Sequence, residues 1–223
     1  MSELDFRAAA AVAARRYRVI GRWAEGFAKG KMSADPAFAR VVTLLPARGA
    51  LVDVGCGEGY LLALTRALRP EVTLFGLDHD DARLAQGRAA LADEPDLTLV
   101  CGDLRDATLP RADVVCCLDV LHYMPEDQQD AALVAFAEAL RPGGTLLLRD
   151  AEAGAGLRTT LTRISETLAV AAGRHKGDGV FFRTAAATRA VLERCGLEVE
   201  VVPCRDGTPF ANVLFVARKA EAR

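Results

Sequence analysis

The run Leu51-Val-Asp-Val-Gly-Cys-Gly-Glu-Gly59 constrains this chain more than any other feature. A short apolar run ends at Val54, glycines follow at 55, 57 and 59, and a helical pattern starts at Tyr60. Glycines permit a tight turn and let a ligand approach the backbone closely. The helix that follows offers free N–H groups in its first turn. The rest of the chain continues this strand–turn–helix theme. Apolar runs at Ala50–Val54, Val72–Leu77, Leu97–Val100, Ala112–Leu118, Thr145–Leu148, Leu197–Val202 and Val213–Ala217 alternate with helical stretches at Tyr60–Leu68, Asp80–Leu91, Glu126–Leu140 and Thr184–Cys195. Apolar strands alternating with helices predict an α/β fold, a doubly wound and mostly parallel sheet covered on both faces. The last two strands are joined only by Pro203–Asn212, too short for a crossover helix, so they should pair antiparallel.

Two regions stand outside this alternation. Residues 1–48 read as helices without a strong strand, and the expected boundary to the sheet domain, 49–223, falls after them. Gly21, Gly26 and Gly30 interrupt the helical pattern around Trp23 and Phe27, while Asp35 and Pro36 form a helix start as N-cap and first helical residue. A second segment, 151–183, forms an insert before the sixth strand, with a helical stretch at Leu157–Ala172 and charges at Arg158, Arg163, Glu166, Arg174, His175 and Lys176. An insert on the carboxyl side of a strand sits where ligands bind in open α/β sheets.

Composition excludes several functions. Lys plus Arg number 28 against 30 Asp plus Glu, a net charge of -2, which offers no general grip on nucleic acid. No apolar run is long enough to span a membrane, and the charge order around Ala8–Ala14 is the reverse of a signal peptide's. The six cysteines lack metal spacing and suit a reducing cytoplasm as buried thiols, and the three histidines provide no zinc site, so no metal is expected.

The acids around the glycine loop narrow the ligand. The dinucleotide fingerprint G-x-G-x-x-G/A fails here, because Tyr60 occupies its last position. Asp53 lies inside the strand, where it would repel a pyrophosphate and attract an ammonium. Asp78 ends the second strand and can accept from both hydroxyls of a ribose. Asp103, in Cys101-Gly-Asp-Leu104, can accept from an exocyclic adenine amino group; alone, Gly102-Asp103 would read as an ordinary turn. Together these features favour a nucleoside bearing a cationic amino acid over one bearing phosphates.

These residues, with the later Leu140-Arg-Pro-Gly-Gly-Thr-Leu-Leu-Leu148, resemble the class I S-adenosylmethionine-dependent methyltransferases over roughly residues 40–218. The resemblance implies a Rossmann-like sheet of seven strands whose last strand is antiparallel, with a helical N-terminal lid. It implies S-adenosylmethionine as cofactor and S-adenosylhomocysteine as product. Gly55, Gly57 and Gly59, with Cys56 among them, would pass the methionine part and Asp53 would face its amino group. Asp78 would hold the ribose, with His79 at the ribose or adenine edge. Asp103 and Leu104 would meet the adenine, and the segment Leu118–Tyr123 would border the methyl group. Glu94 and Asp96 serve as acids without such a role.

Methyl transfer to an acceptor that must lose a proton calls for a base. His122 reads either as that base or acceptor-positioning group, or as a packing residue beneath the cofactor. Asp119, three residues earlier, would share one face of a helical turn with it. Asp150 ends the fifth strand, near the cleft or as a cap for the insert. Tyr17, Trp23 and Tyr123 are candidate acceptor contacts; Phe27 reads as lid packing, and Lys29 and Lys31 could meet an acidic substrate or an acyl carrier. Three short runs, Lys29-Gly-Lys31 before Asp35-Pro36, Arg149–Gly154 and Thr208–Asn212, are similar to small bacterial methyltransferases of aryl-polyene and related pigment pathways. That likeness implies secondary metabolism and an aromatic or polyketide-like acceptor, small or carrier-bound. The competing readings are an NAD(P)-dependent oxidoreductase on a related sheet and a catalytically inactive cofactor-binding module.

Overall fold

Strand β1 (Arg48–Val54) is buried from Leu51 onward, as an apolar run covered on both faces must be. It pairs in parallel with β2 (Glu71–Asp78), which pairs in parallel with β3 (Leu97–Cys101). Strands β4 (Ala112–Leu118), β5 (Leu140–Ala151), β6 (Leu197–Pro203) and β7 (Asn212–Lys219) complete a sheet of order β3-β2-β1-β4-β5-β7-β6. β7 runs antiparallel to both β5 and β6, as the short connection before it requires. The computed structural model describes residues 2–153, 179–204 and 211–222. The chain forms two compact units, Met1–Val114 and Val115–Arg223.

In the first unit, helix α1 (Glu3–Arg15) starts with a capping box between Ser2 and Asp5. It continues as a 3-10 turn over Arg16–Val19. Helix α2 (Arg22–Ala34) runs straight through Gly26 and Gly30, against the expected interruption. Its buried residues Ala24, Ala28 and Met32 recur every fourth position, and that packing outweighs about 1 kcal/mol of lost propensity per glycine. Helix α3 (Pro36–Leu44) begins as the sequence indicates, with the Asp35 carboxylate accepting from the Ala37 N–H. Helices α4 (Tyr60–Leu68) and α5 (Asp81–Ala90) follow β1 and β2. α4 buries Leu61, Leu62 and Leu64, each contributing roughly 1.5–3 kcal/mol. Glu94 is no spectator: its nearly buried carboxylate takes ion pairs from both Arg16 and Arg66. That triad ties the N-terminal helices to α4 and to the chain after α5.

In the second unit a 3-10 turn, Leu121–Tyr123, follows β4. Helix α6 (Glu126–Ala139) precedes β5, and α7 (Ala185–Arg194), capped by Thr184, precedes β6. The helical stretch expected at Leu157–Ala172, the charges from Arg158 to Lys176 and residues 205–210 of the loop before β7 lie outside the described residues. The insert leaves and returns at one place, where the Ala153 N–H donates to the Arg183 carbonyl over 2.8 Å. Four cysteines are buried, but Cys101 is exposed and Cys195 half-buried, so the reading of all six as buried thiols does not hold.

Candidate active site

The β1–β2 register sets Asp53 opposite Gly76 and Val54 opposite Leu77, so Asp53 and Asp78 reach the same sheet end. Beyond it the chain turns through Gly55, Gly57 and Gly59, whose φ angles are 73°, 54° and 78°. A side chain at these left-handed angles would strain the backbone. The Gly55 and Cys56 N–H groups both donate to the Leu77 carbonyl, at 2.7 and 3.1 Å. Gly76 holds the loop close: a Cβ there would stand 2.8 Å from Cys56 Sγ and 2.8 Å from Leu62 Cδ1.

Asp78 is buried and organises the loop. One carboxylate oxygen accepts from the Gly57 N–H at 2.7 Å, the other from the Asp80 N–H at 2.9 Å. Asp53 is also buried. Burial, and then the neighbouring Asp78 charge, push its carboxyl up to about 8. Among the described residues no basic side chain pairs with it. Burial likewise holds the Cys56 thiol well above its ordinary range, so Cys56 is a small packing residue and no nucleophile. The exposed His79 ring lies 3.6 Å from Asp78. Asp103 pairs with Arg105 at 2.5 Å; that hydrogen bond keeps its carboxyl below the usual range. Leu104, half-buried, begins the turn after it.

Glu58 is a hub that the sequence did not reveal. Its carbonyl accepts from the Tyr17 hydroxyl at 2.8 Å, and its carboxylate pairs with Arg83 at 2.7 Å. The Arg83 guanidinium packs on Gly57, where a Cβ would displace it. Tyr17 is therefore fully buried beneath the loop, and Trp23 stands 79% exposed. Phe27, read as lid packing, is instead half-exposed and stacked on Trp23.

The second unit carries two acid–base pairs. His122, on the 3-10 turn, meets Asp150 through Nδ1, while Asp119 takes an ion pair from Arg149. The shared helical face expected for Asp119 and His122 is thus absent: Asp119 precedes the turn, with φ 59°, and each residue pairs with the end of β5 instead. Arg149 is buried, and besides donating to Asp119 Oδ1 at 3.0 Å it accepts from the Asp119 N–H at 2.9 Å through its carbonyl. A charge inside an apolar strand requires a partner, and that was the available signal for it. His122 is walled in: Tyr123 lies 4.2 Å and Phe182 5.5 Å from its ring centroid. The Phe181 N–H donates to the His122 carbonyl at 2.7 Å, and the Gln129 amide bridges Met124 and Phe181. Leu118, half-buried, ends β4.

A family model described as a methyltransferase domain matches residues 51–144, the span from the glycine loop into β5. Carboxy-S-adenosyl-L-methionine synthase of Geobacter metallireducens is 32% identical over 104 residues, covering 44% of this chain and 43% of that protein. An O-methyltransferase family protein from Burkholderia thailandensis superposes with a TM-score of 0.69 at 18% identity, over 92% of this chain and 63% of that one. The matched span, residues 51–144, is a methyltransferase domain. Human N-acetylserotonin methyltransferase, solved in complex with SAM, shares the fold of this methyltransferase domain with a TM-score of 0.66 at 18% identity, over 93% of this chain and 56% of its own. The chain spans less than half the length of the curated relatives it matches.

Proposed function

We propose that the protein is an S-adenosylmethionine-dependent methyltransferase acting on a small-molecule or carrier-bound acceptor. The observation that carries this reading is the pair of buried carboxylates, Asp53 and Asp78, beside a loop of three left-handed glycines. A buried carboxyl pushed up to about 8 is drawn toward its anionic form by a cation placed beside it. S-adenosylmethionine fits, having an ammonium, a sulfonium and a ribose diol. When bound it supplies an electrophilic methyl group on cationic sulfur.

The chain's own residues then divide the work. Asp53 faces the ammonium, and Gly55, Cys56, Gly57 and Gly59 let the ligand lie against the backbone. Asp78 accepts from the ribose hydroxyls, with His79 at their edge. Asp103 accepts from the adenine amino group, and Leu104 and Leu118 supply apolar contact. Tyr17 acts through Glu58, holding the loop rather than touching the acceptor. Trp23 and Tyr123 contact the acceptor. With Asp150 holding Nδ1–H, Nε2 of His122 is the nitrogen that takes a proton from an acceptor hydroxyl. Asp119 and Arg149 position that end of β5. An aromatic or polyketide-like acceptor and a place in secondary metabolism follow from the short pigment-pathway runs. The free cysteines suit the cytoplasm, and no described helix is long and apolar enough to cross a membrane.

Calorimetric titration with S-adenosylhomocysteine is the direct test. Saturable heat is expected, and a folded sample that gives none sinks the reading. A labelled-methyl assay across phenols, amines and acyl carriers then identifies the acceptor atom.

A further inference from the structure

Seven of the nine large apolar side chains exposed among the described residues fall within the first 44 positions. Two of them stack on each other. Trp23 and Phe27, one helical turn apart on α2, stack with centroids 5.3 Å apart and planes 18° apart. The row continues inward. Phe27 lies 6.2 Å from Tyr60, and Tyr60 lies 4.9 Å from Tyr17. Tyr60 is the first residue of α4, directly after Gly59, and burial pushes its hydroxyl up to about 12. The four rings thus step from solvent to the glycine loop.

Among the described residues the exposed stacked pair covers nothing. Ala24, Ala28 and Met32 form the buried side of α2. By the 3.6-residue period, Trp23 and Phe27 lie along one edge of the outer face and Arg22 and Lys29 along the other. Between them, a Cβ on Gly26 or Gly30 would meet nothing within 4 Å. Residues 1–48 contain nine Lys and Arg against four Asp and Glu, a net +5 in a chain of net -2. The outer face of α2 therefore has an aromatic edge and a cationic edge.

The geometry points to this face as the capture site for a planar aromatic acceptor that bears a negative charge. The rings stack on the acceptor's plane, and Arg22 and Lys29 attract its anionic group. The inference rests on the methyltransferase reading for the word acceptor; the binding face itself does not. A second copy of the chain would require a matching acidic, apolar face, and a lipid surface has no use for a ring row that runs inward to Tyr60.

Trp23 is the sole tryptophan, so its emission reports this face alone. The full-length protein is titrated with 3-hydroxy-2-naphthoate, 2-naphthol and cyclohexanecarboxylate, with and without saturating S-adenosylhomocysteine. The expected affinity order is hydroxynaphthoate, then naphthol, then cyclohexanecarboxylate. Phe27→Ala should weaken hydroxynaphthoate about tenfold, the loss of one stacking partner. By calorimetry, Trp23→Ala should do the same. Lys29→Gln should weaken hydroxynaphthoate about threefold, the effect of one exposed charge, and leave naphthol unchanged. In each variant the affinity for S-adenosylhomocysteine should stay as in the wild type.

Equal binding of cyclohexanecarboxylate, or unchanged hydroxynaphthoate affinity in both ring variants, overturns the inference. So does Trp23 emission that follows protein concentration with dimer formation, or that shifts only with phosphatidylglycerol vesicles. Failure of S-adenosylhomocysteine to bind would instead strike the methyltransferase reading, and the naphthoate titration of the ligand-free protein still decides the face.

Discussion

The acids at the ends of β1 and β2 and those at the ends of β4 and β5 follow opposite designs. Asp53 and Asp78 are buried, Asp78 against backbone N–H groups, and among the described residues no basic side chain neutralises Asp53. Asp119 and Asp150 each meet a basic side chain, Arg149 and His122. Desolvating a lone carboxylate is costly, whereas a paired one is compensated within the chain. The first pair therefore suits a cation from outside. The second pair is balanced within the chain, and it holds an imidazole and a strand end in place.

The largest effect is expected at His122. His122→Ala should lower kcat by about 10²–10⁴ if it removes the acceptor's proton, with S-adenosylhomocysteine affinity unchanged. A kcat within threefold of wild type would return His122 to packing. Asp150→Asn should reproduce a smaller part of the loss, because the ring keeps its place but loses the charge behind it. Next comes Asp78→Ala, which should weaken S-adenosylhomocysteine about 100-fold by removing charge-assisted hydrogen bonds. The exposed Asp93→Ala should bind as wild type, and equal effects would contradict the division between the two regions.

Asp53 offers a sharper test through pH. Its folded value of about 8 lies above the ordinary carboxylate value of 3.8. The ligand-free fold therefore holds a proton that the unfolded chain releases, and stability falls as pH rises between those two values. An ammonium ligand needs the ionised form, so affinity should rise about tenfold from pH 6.5 to 7.5 with proton release. Both trends should vanish in Asp53→Asn; a flat wild-type profile would break the comparison.

Arg149→Met should cost about 1–3 kcal/mol in denaturant unfolding, since Asp119 is left without its cation but retains some solvent. The smallest effect concerns α2. Gly26→Ala and Gly30→Ala should each stabilise by about 0.5–1 kcal/mol, because both sites are helical and open.

Local pattern made most of this molecule legible. Tyr60–Leu68 and Ala112–Leu118 coincide with the observed elements, and β1, β2 and α7 differ only by a residue or two at their ends. Strand alternation and helical period are properties of neighbouring residues. The acids at strand ends were equally visible, because a strand end is a local event. α2 was misread for a related reason: glycine propensity is local, and the burial that overrides it is not.

The sequence by itself determined the α/β alternation, the glycine turn and which acids stand at strand ends, since each follows from residues a few positions apart. Only the tertiary structure decided which charges meet. His122 and Asp150 are 28 positions apart, Asp119 and Arg149 30, and Tyr17 and Glu58 41. Sheet register and helix packing bring such residues together, and Coulomb attraction acts on distance in space without regard to position along the chain.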